Sequence, residues 1–317
     1  MPMPALTLNV SGINAPRTVA AIARAERMGL SGIWIPTMGT GPDALISIAA
    51  AAVQTERVSL GTGVLPVFPR HPLAVAQQAL AVASLAPGRL RLGIGTSHRP
   101  SMEHTFGIEM RAPLRRLREY VTVLKAALAG DAVDHAGEYY TARGRFATPD
   151  AAVPVLIAAL SPGAFRLAGE IADGAVSWLC PPDYLERTAL PAMRAGAERA
   201  GRPLPPLVAG IPVAVSDNPD LARAAVRSQL ARYVQAPFYQ QMLVTAGLAE
   251  AAAGTWSDRM IDAVAVIGDE DQVAARLESL GAAGIDEVAV TPVLLEPDTR
   301  ASMQRALTLL ARLTQER

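Results

Sequence analysis

Short apolar runs alternate with amphipathic stretches along the whole chain. Eight of the apolar runs have the length and composition of β-strands: Leu6–Val10, Gly32–Pro36, Val58–Thr62, Leu90–Gly95, Val155–Ala159, Gly174–Trp178, Leu207–Val213 and Glu287–Thr291. Helical patterns lie between or after them: Pro16–Met28, Asp43–Gln54, His71–Ala86, Leu114–Ala129, Ala164–Ile171, Asp183–Ala200, Asp220–Tyr233, Asp271–Ala283 and Thr299–Thr314. This alternation is typical of an α/β fold with a parallel sheet.

The clearest unit spans residues 58–97. A β-branched run ends in the Gly61-Thr62-Gly63 triplet, a helix follows from His71, and the next run ends at Gly95 and Thr96. Glycine therefore stands at the carboxyl end of both strands of one βαβ unit, where open backbone can approach a flat ligand.

Eight strands, each followed by a helix, predict a single (β/α)8 TIM barrel over residues 1–317. Two long connections, residues 131–150 and 236–268, are predicted insertion segments, the first for packing and the second as part of a lid. A doubly wound open sheet is the alternative. It would require a glycine-rich dinucleotide turn after the first strand, and Ser11-Gly12-Ile13-Asn14 is not such a turn.

Composition excludes several classes of function. Lysine plus arginine equals aspartate plus glutamate, 29 each, so no overall charge favours nucleic acid or an anionic membrane. The one cysteine, Cys180, allows no intrachain disulfide. We see no signal peptide, and the longest apolar run, Ala44–Val53, is too short to span a bilayer. A cytoplasmic protein that binds small molecules is expected.

In a barrel of this kind the chemistry lies at the carboxyl ends of the strands. That rule selects these residues: Asn9, Ser11, Thr37, Met38, Thr62, Gly63, Val64, Thr96, Ser97, His98, Ala159–Gly163, Ser177–Cys180 and Thr291. The alternative for most of them is a small residue at a turn.

Three segments carry a specific resemblance: LGTGVLPVFPRHP, GRLRLGIG and AALSPGAFRLAGEIADGAVSW. In this order they resemble the luciferase-like monooxygenase superfamily, and particularly its coenzyme F420-dependent branch. The resemblance implies a luciferase-like barrel, usually a homodimer, that transfers a hydride between the deazaflavin and a small organic substrate. Apolar residues near the predicted mouth suggest an apolar substrate.

The resemblance also implies two cofactor contacts. A non-prolyl cis peptide at Gly63–Val64, after Thr62, would support the back of the ring; the alternative is an ordinary trans turn. Gly95, Thr96 and Ser97 would lie beside the cofactor.

The resemblance further places the cofactor phosphate near a helix N-terminus, where Ser161 is a good N-cap, Pro162 suits the first turn, and free amides with the helix dipole attract anions. The predicted contacts there are Ala159, Leu160, Ser161, Gly163 and Ala164. The alternative is a cap that binds nothing.

The chain departs from the sugar-phosphate dehydrogenases of that branch. Their glutamate near Ser97 is missing, and Pro36-Thr37-Met38 replaces their Asp-His pair. We therefore expect another substrate, with Ser11, Thr37, Met38 and Trp178 in its pocket. His98 is the candidate proton carrier, because imidazole exchanges protons near neutral pH; a solvent-facing histidine is the alternative. The spacing of His98 and His104 fits no metal signature, so no metal is predicted.

Two other functions remain open. An FMN-dependent monooxygenase would use the same barrel with oxygen. A non-catalytic barrel that only binds F420 or a flavin would account for the missing acidic and histidine residues.

Overall fold

The computed structural model describes residues 3–10, 14–147 and 152–315. Twelve strands are present there: β1 Ala5–Asn9, β2 Gly32–Ile35, β3 Ser59–Thr62, β4 Leu65–Pro66, β5 Leu90–Gly95, β6 Val133–Ala136, β7 Thr141–Gly144, β8 Val155–Ala158, β9 Gly174–Trp178, β10 Leu207–Val215, β11 Val266–Gly268 and β12 Glu287–Pro292.

The α-helices follow the predicted pattern closely. They are α1 Ala15–Arg27, α2 Ala44–Ala52, α3 Pro72–Leu85, α4 Pro113–Ala129, α5 Pro162–Ile171, α6 Pro182–Tyr184, α7 Leu190–Arg199, α8 Pro219–Gln229, α9 Pro237–Thr245, α10 Asp258–Val264, α11 Glu270–Ala282 and α12 Thr299–Gln315. None of the helices in the described ranges is both long enough and apolar enough to cross a bilayer.

Eight parallel strands close into a barrel in the order β1-β2-β3-β5-β8-β9-β10-β12, and β12 pairs back to β1. All eight predicted strands are these barrel strands, so the (β/α)8 prediction is confirmed and the open sheet is excluded. The register is regular, with Ala5 opposite Glu287 and Leu8 opposite Ile33.

Four features differ from the expectations. Segment 131–150 contains an antiparallel hairpin, β6–β7. Segment 236–268 holds α9 and α10 but ends in the short strand β11, which pairs with the upper part of β10. The helix expected over 183–200 is interrupted by a π turn at Leu185–Ala189, and the helix expected to reach Tyr233 ends at Gln229.

Apolar side chains fill the middle of the barrel. Trp34, Leu156, Val208 and Ala289, from four different strands, form one buried cluster. Gly61 makes room for the indole, because a Cβ there would lie 2.4 Å from Trp34 Cε3. This layer closes the barrel below its mouth.

A polar network lies at the amino end of the barrel interior. Glu287 accepts hydrogen bonds from Thr7 Oγ1 at 2.7 Å and from Trp34 Nε1 at 2.7 Å. Arg91 donates two more to the same carboxylate, at 2.5 and 2.8 Å, and its guanidinium stacks 4.3 Å from the Trp34 ring. The network lies at the end of the barrel opposite to the predicted chemistry.

Candidate functional site

The Gly63–Val64 peptide bond is cis, as predicted. The Val64 side chain packs over two glycines of β5, since a Cβ on Gly93 would lie 3.2 Å from Val64 Cγ1 and one on Gly95 would lie 3.0 Å from Val64 Cγ2. Val64 O accepts a hydrogen bond from the Thr37 amide at 3.4 Å. An apolar projection is thereby fixed at the carboxyl ends of β3 and β5.

Side chains alternate along each strand between the barrel interior and its outside. The residues two positions after the middle layer, toward the carboxyl end of each strand, therefore line the mouth. Small residues dominate there, including Gly95, Ala158 and Gly210. The exceptions are Asn9, Trp178 and Thr291, and each of these has a buried polar atom without a hydrogen-bond partner: Oδ1, Nε1 and Oγ1 respectively. Buried polar groups are normally paired. Unpaired donors and acceptors around a layer of small residues are therefore what a site for a polar, flat ligand requires.

The N-terminus of α5 opens at the predicted phosphate site. Ser161 Oγ accepts a hydrogen bond from the Ala164 amide at 3.3 Å, so Ser161 is the N-cap, as expected. Leu160 O accepts from the Tyr184 hydroxyl at 2.7 Å, which fixes the preceding loop. Ala159 is buried behind it.

A cleft with excess positive charge adjoins this helix end beside Gly163. Four arginines and one glutamate line it: Arg115, Arg118, Arg166, Arg199 and Glu170. Arg118 and Arg199 pair with Glu170 and Arg115 pairs with Glu138, so much of this charge is already neutralised. The free amides and the dipole of α5 favour an anion at this end of the helix.

His98 lies in a cluster of aromatic rings. Its ring centroid is 5.2 Å from that of Phe238, 6.2 Å from Tyr239 and 6.4 Å from Tyr233. Burial lowers the pKa of His98, the positive charge of Arg232 lowers it further, and a backbone hydrogen bond at Ser97 opposes both. The imidazole is therefore predominantly neutral at pH 7, and it is not the solvent-facing residue that was the alternative.

The same cluster reaches the end of β9, where Trp178 and Tyr233 have centroids 6.0 Å apart. The Trp178 ring lies on β10, because a Cβ on Gly210 would be 2.7 Å from its Cε3. Tyr233, Phe238 and Tyr239 thus form an aromatic wall of the mouth between His98 and Trp178. Sequence reasoning missed these three residues, although the predicted lid segment that contains two of them was the available signal.

Two non-glycine residues at the mouth have left-handed backbone conformations. They are Ser97, with φ 61°, after β5, and Leu179, with φ 57°, after β9. Such conformations concentrate at functional sites, where the surroundings hold them in place. Thr96 and Ser97 are half-buried at this turn, beside His98.

The remaining predicted residues have varied positions. Thr62 is fully buried and its hydroxyl donates to Gly93 O at 2.6 Å, so its side chain supports the β3 end from behind. Thr37 Oγ1 accepts from the Ala44 amide at 3.1 Å, whereas Met38 is exposed at the rim. Ser11 lies outside the described residues.

Cys180 follows Trp178 but is not a candidate nucleophile. Its side chain is buried, and burial raises the pKa of the thiol far above its ordinary value. A thiol without access to its thiolate form is unreactive.

This chain is similar to a protein family, to a named relative and to solved structures. The family model for luciferase-like monooxygenases matches residues 4–287. The F420-dependent glucose-6-phosphate dehydrogenase of Beutenbergia cavernae is 35% identical over 271 residues, which covers 76% of this chain and 80% of that protein.

Among solved structures, an F420-dependent secondary alcohol dehydrogenase in complex with an F420–acetone adduct has a TM-score of 0.82 and 19% identity, and the alignment covers 98% of both chains. The oxygenating constituent of 3,6-diketocamphane monooxygenase from Pseudomonas putida, in complex with FMN, has a TM-score of 0.76 and 19% identity over 99% of this chain and 97% of that chain. At these identities the two structures show a shared fold alone, and that fold accommodates both kinds of cofactor.

Proposed function

The chain belongs to the luciferase-like monooxygenase family, and on that premise we propose that it is a coenzyme F420-dependent oxidoreductase. The reaction is hydride transfer between the deazaflavin and a small organic substrate with a largely apolar body. The observation that carries this proposal is Val64, which projects from the cis loop over Gly93 and Gly95 and faces a mouth lined with small residues and unpaired polar atoms.

The residues fit a tricyclic cofactor with an anionic tail. Gly63, Val64 and Gly95 would support the ring, and the Ser161 and Gly163 amides at the N-terminus of α5 would hold the phosphate beside the arginine-lined cleft. Bound F420 supplies the carbon that gives or accepts the hydride. The protein supplies the back wall, the anion site and an aromatic enclosure that excludes water.

His98 is proposed as the group that exchanges a proton with substrate. A neutral imidazole accepts a proton, which is the role needed when a substrate hydroxyl is oxidised to a carbonyl. The reverse direction needs the imidazolium, which is populated only below the lowered pKa. A His98→Asn variant should therefore bind F420 normally and lose turnover.

Glucose 6-phosphate, the substrate in the name of the Beutenbergia relative, is not carried over. The Asp-His pair expected in such dehydrogenases is replaced by Pro36-Thr37-Met38. The rings of Trp178, Tyr233 and Phe238 favour an apolar body instead of a sugar.

A cofactor titration tests the proposal. Purified protein is titrated with F420 and with FMN, and binding is followed by quenching of cofactor fluorescence. We expect F420 to bind at least about tenfold more tightly than FMN. Preferential binding of FMN would favour the monooxygenase alternative, and retention of neither compound would refute both. Tight F420 binding without turnover of any substrate in a screen run in both directions would favour the non-catalytic alternative.

We also infer a homodimer that forms through α2. Ile46 on this helix and Val53, its C-cap residue, lie one heptad apart and are 63% and 66% exposed, with exposed Ala50 between them. Such an apolar stripe favours contact with a second copy. The molar mass in solution tests this inference: a dimer that Ile46→Lys converts to a monomer is expected, and a monomeric wild type would refute it. A cytoplasmic location stays a prediction.

A further inference from the structure

We infer that Arg232 anchors an anionic group of the substrate, so that the substrate class is an apolar, planar body carrying a carboxylate. This inference rests on the proposed function, because it concerns the open side of the same mouth. It adds a charge requirement to the apolar pocket and assigns one residue to it.

The Arg232 guanidinium is exposed and has weak partners. Its Nη2 lies 3.7 Å from Met38 Sδ and 3.2 Å from the Tyr233 hydroxyl, and Cζ lies 5.0 Å from the Tyr233 ring centroid. A thioether is a poor acceptor and a phenol is neutral. Most of the five N–H donors of this side chain therefore point to solvent at the rim of the mouth.

Two other arginines on the neighbouring helix α8 provide a contrast. Arg223 binds Asp262 through two hydrogen bonds, and Arg227 binds Asp258. Among residues 3–10, 14–147 and 152–315, no carboxylate lies at ion-pair distance from Arg232. Of these three arginines, Arg232 alone reaches the mouth, and Arg232 alone has no counter-ion within the part of the chain that the structure describes.

The groups beside Arg232 define the rest of the ligand. Tyr233, Phe238 and His98 pack against one another as a cluster of aromatic rings, with centroid separations of 5.2 and 6.4 Å, and this cluster offers an apolar face beside Arg232. Trp178 continues the cluster and has a buried indole N–H without an acceptor. Rings bind a planar apolar body, while a guanidinium at the rim and an N–H inside both require oxygen acceptors.

The charge of the pocket also favours an anion. The positive charge of Arg232 acts on His98 and on Tyr239, lowering the pKa of His98 and opposing the upward shift that burial gives the pKa of Tyr239. A carboxylate beside Arg232 would offset this charge, whereas a cationic substrate would add to it. A sugar phosphate would satisfy the guanidinium, but its polar body would not match the apolar faces of the rings.

A matched pair of probes separates charge from shape. We propose calorimetric titration of 2-naphthoate and its neutral analogue 2-naphthamide into the full-length protein, with and without F420. Wild type should bind 2-naphthoate about tenfold more tightly than 2-naphthamide. Arg232→Gln should remove that preference by weakening 2-naphthoate alone, and Arg232→Lys should retain part of it.

Arg27→Gln is the control, because Arg27 is an exposed arginine at the end of α1, on the opposite end of the barrel. It should leave both affinities unchanged. The inference is overturned if wild type fails to prefer 2-naphthoate or if Arg232→Gln keeps the preference. F420 affinity, measured in parallel, should be equal in wild type and Arg232→Gln. Failure of wild type to bind F420 would refute the proposed function, whereas loss of the 2-naphthoate preference with F420 binding intact would refute this inference alone.

Discussion

The carboxylate of Glu287 offers a sharp test of the energetics of the barrel, because the chain contains a matched surface pair. Inside the barrel, Arg91 binds Glu287 through two hydrogen bonds of 2.5 and 2.8 Å. On the surface, Arg223 binds Asp262 in the same two-pronged way at 2.9 and 3.1 Å. The geometry is alike, and burial differs: the Glu287 side chain is 9% exposed and the Asp262 side chain 46%.

The expected magnitudes follow from that difference. Glu287→Gln leaves the Arg91 guanidinium largely buried without its counter-ion, a change that typically costs 3–5 kcal/mol; because the Arg91 side chain is 23% exposed, we expect about 3 kcal/mol. Asp262→Asn removes a solvent-screened pair and should cost about 0–1 kcal/mol. A double variant, Glu287→Gln with Arg91→Met, should be more stable than Glu287→Gln alone, since no buried charge remains.

Urea denaturation at pH 7, followed by circular dichroism, measures these differences. Burial by itself raises the pKa of Glu287, but the hydrogen bonds and charge of Arg91, with Thr7 and Trp34, outweigh it and lower the pKa below its ordinary value. The stabilisation is therefore complete above the unfolded-state pKa of about 4.3 and is lost as the pH falls through the lower folded-state value. Equal losses of stability in Glu287→Gln and Asp262→Asn would refute the reasoning.

Two further predictions concern the cofactor site. Gly95→Ala places a Cβ 2.7 Å from Ala158 Cβ and 3.0 Å from Val64 Cγ2, so this variant should displace Val64. We expect its F420 binding to weaken by about tenfold or more in a fluorescence titration, and unchanged affinity would contradict the role of Val64. Ser161→Asp keeps an N-cap acceptor but adds a negative charge, so its thermal unfolding should stay near that of wild type while its F420 affinity falls. Ser161→Ala should instead reduce stability by about 1 kcal/mol, and its F420 affinity should fall less than that of Ser161→Asp. Equal F420 affinities in the two Ser161 variants would argue against an anion at this helix end.

The barrel strands could be predicted because each is an apolar run bounded by glycine, proline or a polar turn. Strand β11 was missed since Val266–Gly268 is only three residues long and pairs solely with the upper end of β10. The β6–β7 hairpin was missed because its residues are mostly exposed, as in Thr141–Gly144, where only Ala142 is buried, so no apolar alternation marks it.

The site was predictable only in part. Strand ends could be listed from the sequence, and the cis bond at Gly63–Val64 was inferred from a family resemblance, since no spacing rule indicates it. The aromatic enclosure could not be derived, because Phe238 and Tyr239 are about 140 residues from His98 and meet it only when the barrel closes. The unpaired state of Arg232 likewise depends on where its neighbours fold.

The placement of the tryptophans gives the protein a native optical sensor. Two of the three indoles are buried and donate their N–H, from Trp34 to Glu287 and from Trp256 to Leu230 O. Trp178 alone stands in the mouth with its N–H unsatisfied, so its emission should change when a molecule enters while the other two indoles provide a constant background. Occupancy could thus be followed in unlabelled wild-type protein, and a Trp178→Phe variant should be spectroscopically silent to the same molecule.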